Sequence, residues 1–390
     1  MIVAVDPYLI DWLDLALRWL HVIAGIVWIG TSFYFVALDN HLQPPKRADD
    51  IEAGVAGESW EIHGGGFYVI QKYRVAPPEL PEPLHWYKRE AYTTWLSGFA
   101  LFCVLYYVDA DLNLVGADIS AGVAIGASLA MLAVAWLVYD VLCRLLRNEL
   151  LLGAVLVALV TAAAYGLSLL YQPRAMWLQL GAMLGTIMAA NVLFVIIPAH
   201  WDLVRAKEAG REPDPAPGIR AKQRSVHNNY LTLPVLVAML GDHFAFAYGH
   251  ADGWLVLVCL MLVGAWIRHF FNLRHAGRTV WWIPVTAAAA LAAIAIWIRP
   301  PDAGDAASGP PVTIAEVQTI VEQRCATCHS GASAPKGIQL ETPEQIAAQA
   351  TAMERIAVLT KVMPLSNATG MTDTERELLG RWIRQGASSK

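Results

Sequence analysis

Charge is scarce in this 390-residue chain: 16% of it is Asp, Glu, Lys or Arg, against about 25% in an ordinary soluble domain. Hydrophobic residues make up 56%, and mean hydropathy is +0.43. That balance excludes an ordinary soluble globular protein and implies helices that face lipid. No basic domain, zinc-finger spacing or helix-turn-helix pattern is present, so no nucleic-acid partner is expected. Cysteine is sparse too, with five in all. Cys103, Cys143 and Cys259 stand singly in apolar runs and read as small buried hydrophobes, which excludes a disulfide framework. No basic stretch precedes the first apolar run, and that run is too long for a signal-peptide core, so it reads as a retained helix.

What the sequence does have is length of apolar run. Stretches near the ~20 residues needed to cross a bilayer fall at roughly 12–37, 91–108, 114–138, 150–170, 177–199, 231–248, 252–271 and 279–298. The fold expected is all-α: a polytopic membrane bundle of about eight transmembrane helices over 1–298, with a long first cytoplasmic loop at 39–90. A Pro/Gly/Ala/Asp linker follows at 299–312, then a small tethered unit at 313–390.

Basic residues orient the bundle. The connections after the first, third, fifth and seventh runs carry Lys46, Arg47, Lys72, Arg74, Lys88, Arg89, Arg144, Arg147, Arg205, Lys207, Arg211, Arg220, Lys222, Arg224, Arg268, Arg274 and Arg278, whereas the opposite connections carry only Arg174. By the positive-inside rule the first set is cytoplasmic. Both termini then lie outside, which for a bacterial inner membrane is the periplasm.

The tail contains Cys325-Ala326-Thr327-Cys328-His329, the pattern of covalent c-type haem attachment. Two thiols make thioether links and His329 supplies a nitrogen to the iron. The periplasmic placement agrees with that chemistry, and no second cysteine pair supports zinc. The sixth iron ligand falls to Met363 or Met371. Met363 is favoured because Pro364 holds it in a rigid, non-helical segment, and His/Met ligation raises the potential as an electron acceptor needs. One haem c in a class I-like cytochrome c domain is the expectation.

Ionisable groups inside apolar runs are expensive and usually functional. His21 and His243 lie toward the outer ends of the first and sixth runs, at similar depth; His200 and His269 lie at the cytoplasmic rim. Two such tiers suit one or two haems b, while a single hydrogen-bonded histidine in a bundle is the bland alternative for each. The first loop reads ESWEIHGGGFYVIQKYR, rich in aromatics and with three consecutive glycines that permit close backbone approach.

These segments carry a resemblance. DLALRWLHVIAGIVWIGTSFYFVALDN, the EIHGGGFY loop and the CATCHS…MP tail, in this order over essentially the whole length, resemble the bacterial membrane-bound urate oxidases (urate hydroxylases) with a C-terminal cytochrome c domain. The resemblance implies oxidation of urate to 5-hydroxyisourate in purine breakdown. Electrons would pass through the haem c to a soluble cytochrome c or terminal oxidase rather than to oxygen as peroxide. It implies nothing of the soluble, cofactor-free urate oxidases, whose fold is different. A planar, electron-rich anion calls for a cation, amide-type hydrogen bonds and a stacking surface. The rim offers Arg74, Gln71, Arg224, Asn228, Asn229 and Arg268, with Glu61 or His63 as proton acceptor; a positive-inside anchor or loop-surface role is the plain alternative for each. A homo-oligomer is compatible with this reading. The competing one is a quinol-linked or partner-dependent membrane electron-transfer subunit with a tethered cytochrome.

Overall fold

The computed structural model of the chain describes residues 6–299, 309–332 and 334–389. Of the linker expected at 299–312, residues 300–308 lie outside them.

The first helix, α1 (Pro7–His41), starts where Asp6 accepts the Tyr8 amide at 3.0 Å and Pro7 takes the first turn, where a missing N–H costs nothing. It stops just ahead of Pro44-Pro45. A short α2 (Ala48–Glu52) leads into antiparallel strands β1 (Val55–His63) and β2 (Gly66–Tyr73). The structure therefore departs from an all-α fold here: the segment expected as an irregular loop is a hairpin. Its tip pairs His63 with Gly66 across Gly64 and Gly65, both at positive φ, as a two-residue hairpin turn requires.

Next come α3 (Arg89–Phe102), prolonged by a π turn at Cys103–Tyr107, then α4 (Ala110–Asn113), α5 (Ala121–Leu145), α6 (Glu149–Ser168) and α7 (Pro173–Asn191). A second π turn at Val192–Ile196 joins α7 to α8 (Ile197–Glu208); α9 (Pro215–Leu240), α10 (Ala245–Tyr248), α11 (Gly253–His275) and α12 (Trp282–Trp297) complete the bundle. Its axis is α7, which buries Met176, Trp177, Leu180, Met183, Leu184 and Ile187 and packs on α3, α5, α6, α9 and α11. The surrounding helices turn large apolar side chains outward: Trp19 and Ile26 on α1, Leu137 and Val141 on α5, Leu150 on α6, Val285 and Ile296 on α12. So much apolar surface on the outside fits a protein that meets lipid. Among the described residues, five helices are long and apolar enough to cross a membrane, and Trp282–Trp297 is apolar but shorter.

The run expected at 91–108 is helical, as α3 with its π turn, whereas that expected at 231–248 is broken: α9 ends at Leu240, a 3₁₀ turn follows at Gly241–His243, and α10 completes it. The run expected from 114 becomes helix only at Ala121. Val115 bridges to Tyr171, the Gly116 amide donates to the Leu170 carbonyl at 2.8 Å, and the Tyr171 backbone leaves no room for a Cβ at Gly116. Ser120 then caps α5 by accepting the Val123 amide.

The tail is a second helical unit: α13 (Ile314–Arg324), α14 (Pro343–Ala348), α15 (Ala350–Met353) with a π turn at Glu354–Leu359, and α16 (Asp373–Arg384). Capping boxes start three of its helices, on Thr313/Glu316, Thr342/Gln345 and Thr372/Glu375. Val317, Val321, Ile346, Leu379 and Trp382 form its core. It rests on the bundle through Val362, which packs on the bundle core, and Ser366, whose hydroxyl donates to the Leu112 carbonyl at 2.6 Å. Thr360 lies against Gly249.

Candidate functional site

At the end of α13 the chain turns through Cys325 and Cys328 into His329. Cys325 is half-buried and Cys328 exposed, and both thiols are free. Burial pushes the Cys325 thiol up to about 11. His329 Nδ1 donates to the Ile338 carbonyl at 2.9 Å, taking the Nδ1–H tautomer, which leaves Nε2 open, the arrangement a metal-ligating imidazole adopts. Met363 is half-buried and packs on the same apolar cluster as Cys325; the Arg376 guanidinium holds its carbonyl at 2.7 Å. Met371 is 3% exposed inside that cluster, with its backbone clasped at both ends by Asn367, as a core residue would be. Among the described residues no three His, Cys, Asp or Glu side chains gather to hold a bare metal ion. The donor set present, two free thiols, an imidazole with its Nε2 free and a half-buried thioether, fits a covalently attached haem.

In the bundle, α1, β2, the π turn after α7, α8 and α9 enclose a cavity of about 480 Å³. Its wall includes Asp39, Gln71, Lys72, Trp86, His200 and Asn228. The π turn arises where Pro198 removes a helical donor, and it puts Val192 and Ile196 into the wall. Trp86 stacks on Trp201 with centroids 4.4 Å apart, and the Lys88 ammonium lies 5.2 Å from the Trp86 ring. Lys72 is already paired: both Asp39 oxygens are 2.6 Å from its Nζ.

Behind the cavity runs a buried polar network. Arg224 donates to Asp140 at 2.7 Å and stands over the Tyr139 ring at 4.8 Å. Asn191 donates to Asn228 and to the Tyr139 hydroxyl. The Tyr139 hydroxyl meets His227 Nδ1 at 2.8 Å, and Glu149 takes His227 Nε2 at 3.1 Å. Further along α9, Asn229 accepts from Arg268 Nε at 3.0 Å and from Asn272 at 2.9 Å.

The structure scatters the catalytic residues expected from sequence. Asn228 lines the cavity and Arg224 belongs to the network, held by Asp140. Glu61 ties β1 to α1, accepting the Tyr34 hydroxyl at 2.8 Å, with His41 at 3.6 Å. His63 is exposed at the hairpin tip, and Arg74 is exposed just past β2. The four bundle histidines have separate surroundings. His21 Nδ1 donates to the Thr94 carbonyl at 2.9 Å, and its ring fills the space that a Cβ at Gly98 would need. His243 is exposed on a turn that rests on α7, α9 and α10. His200 faces the cavity near Trp86, and His269 Nδ1 meets the Tyr230 hydroxyl at 2.7 Å while its ring stacks on Trp266. Sequence reasoning missed Asp39, Asp140 and Asn191. Asp140 and Asn191 are isolated polar residues within long apolar helices, and that is the signal that marks them; Asp39 sits beside Asn40 and His41 at the polar end of α1 and carries no such signal.

No curated protein matches the chain, and no solved structure does. The urate oxidase N-terminal family matches residues 7–299, from the first turn of α1 to just beyond α12. That stretch is the whole helical bundle and more than half of the protein, so the chain belongs to the urate oxidase N-terminal family.

Proposed function

We propose that this protein is a membrane oxidoreductase that converts urate to 5-hydroxyisourate and passes the electrons through its tail to the respiratory chain. The observation that carries the reading is the fusion, in one chain, of the family's bundle to a Cys325–Cys328–His329 site whose imidazole is preset by the Ile338 carbonyl. The reaction balances as urate plus water giving 5-hydroxyisourate, two electrons and two protons. Bound at Cys325, Cys328, His329 and Met363, haem c supplies a one-electron acceptor. The chain's own part is to bind the anion, hold its plane, admit one water to the ring carbon and take up the protons. Soluble cytochrome c or a terminal oxidase is the onward partner.

The placement of the tail supports the orientation read from charge. The tail rests on Leu112 and Gly249, in the two connections that carry no basic residues, opposite the basic rim. In this reading the eight helices cross the inner membrane, both termini are periplasmic and the rim faces the cytoplasm. The reading also includes one or two haems b in the bundle, with His21, His243, His200 and His269 as the candidate ligands; the four have separate surroundings, so no two of them are assigned to one haem. A pyridine haemochrome spectrum with only the c band, taken on active protein, would rule them out.

The test is an oxygen-isotope and peroxide assay on purified full-length protein with ferricytochrome c. We expect urate loss with no hydrogen peroxide and with the new hydroxyl oxygen derived from water. Stoichiometric peroxide, with no dependence on the added cytochrome, contradicts the proposal. A Cys325→Ala, Cys328→Ala double variant is expected to lose covalent haem and, with it, urate-driven reduction of cytochrome c.

A further inference from the structure

Arg268 stands out in the bundle because nothing acidic answers it. The residue is 4% exposed, and its guanidinium carbon stands over the Phe33 ring, 3.8 Å from the centroid. Its Nε donates to Asn229 Oδ1 at 3.0 Å, its Nη2 has no partner, and among the described residues no carboxylate pairs with it. The neighbouring buried arginine shows the contrast: Arg224 has Asp140 at 2.7 Å. A buried cation without a counter-ion is strongly disfavoured unless an anion joins it. Around Arg268 the polar atoms also lack partners. Asn229, fully buried, has an unpartnered Nδ2; Asn272 has an unpartnered Oδ1; His275 has an unpartnered Nδ1.

We propose that Arg268, Asn229 and Asn272 form the subsite that recognises the charged edge of the purine anion, an inference that rests on the urate reading above. Arg268 Nη2 and Asn229 Nδ2 donate to the ring's anionic nitrogen and a carbonyl oxygen. Asn272 Oδ1 accepts a ring N–H, giving alternating donors and acceptors like those on the edge of urate. Phe33 holds the guanidinium in place so that the fork need not reorganise on binding. Access is from the basic rim: Arg268, Asn272 and His275 follow one another at i, i+4 and i+7 along one face of α11, and exposure rises from buried to half-exposed along that face. The 480 Å³ cavity is the weaker host for the charge. Its cation, Lys72, already faces the Asp39 carboxylate at 2.6 Å, so an anion there meets a negative neighbour.

The experiment uses full-length protein in lipid nanodiscs and follows the initial rate of haem c reduction against urate concentration, anaerobically. The variants are Arg268→Gln, Arg268→Lys and Lys72→Met. Removing a desolvated charge partner of this kind weakens binding by about a hundredfold, so Arg268→Gln should raise KM for urate by that order, with Arg268→Lys in between and Lys72→Met much less affected. The maximal rate should change far less than KM, and the dithionite-reduced haem spectrum should match wild type in every variant. An unchanged KM in Arg268→Gln, or a larger rise in Lys72→Met, overturns the subsite while leaving the urate reading intact. If Arg268→Gln yields no folded protein, Arg268→Lys decides alone: a wild-type KM there overturns the subsite, because a point charge cannot replace a fork held over Phe33. If wild-type haem c is not reduced by urate, the functional reading itself has failed and the subsite falls with it.

Discussion

At the scale of single residues, the bundle separates two buried arginines by their partners. Arg224 looked in the sequence like a urate ligand, but Asp140, 84 positions away, neutralises it at 2.7 Å. No local pattern announces a pair that distant, so the polar network is only partly legible in sequence, whereas the Cys325–Cys328–His329 motif is contiguous and can be read directly. Asp140 also holds Arg144 at 2.8 Å. Leaving such a cation buried without its partner costs about 3–5 kcal/mol. Asp140→Asn should therefore lower the unfolding midpoint of the bundle in detergent sharply, with the haem spectrum of the tail unchanged. In the tail, the Thr372 backbone amide, and then Arg324, hold Glu375 below its ordinary value near 4.5. A depressed carboxylate adds stability above its unfolded pKa and loses it as pH falls through its folded pKa. The tail should lose stability below about pH 4.5, and Glu375→Gln should flatten that acid limb in a titration followed by circular dichroism. An acid limb as steep as that of wild type would show that the capping box contributes nothing to it.

At the scale of elements, the helices were legible because long apolar runs leave few alternatives, and each expected run contains a helix. The hairpin was not read, although its signals are present. Val55–His63 and Gly66–Tyr73 are rich in aromatic and β-branched residues, and Gly64-Gly65 is a two-residue turn that demands positive φ twice. Three consecutive glycines also permit close backbone approach, and in an apolar chain that role competes with the turn in the sequence. Since a side chain in the left-handed region costs about 1–2 kcal/mol, Gly65→Val should loosen the hairpin. Limited proteolysis is then expected to cut between 55 and 73 faster than in wild type. Equal cutting rates would mean that the contacts of Glu61 with Tyr34 and His41, rather than the turn, hold this element to α1. The π turn after α7 was equally hidden, because a register shift of one residue leaves no mark on hydropathy beyond Pro198 itself.

At the scale of the whole molecule, the two proposed sites sit at opposite ends. Along α11, fifteen residues separate Gly253, at the tail's end of the bundle, from Arg268, or about 22 Å at 1.5 Å per residue. If the proposed function holds, substrate recognition at the basic rim and haem c at the tail's end would make electron transfer across the bundle the defining property of the protein. The segment that carries Met363 is also the one that meets the bundle, through Thr360, Val362 and Ser366, so the tail sits where electrons emerging from the bundle would reach it. The measurement that tests this most directly is anaerobic mixing of oxidised full-length protein with urate while the haem c α-band is recorded. The account predicts reduction by urate alone, to the level that dithionite reaches, with two haem equivalents reduced per urate consumed. A haem that dithionite reduces and urate leaves oxidised would contradict it.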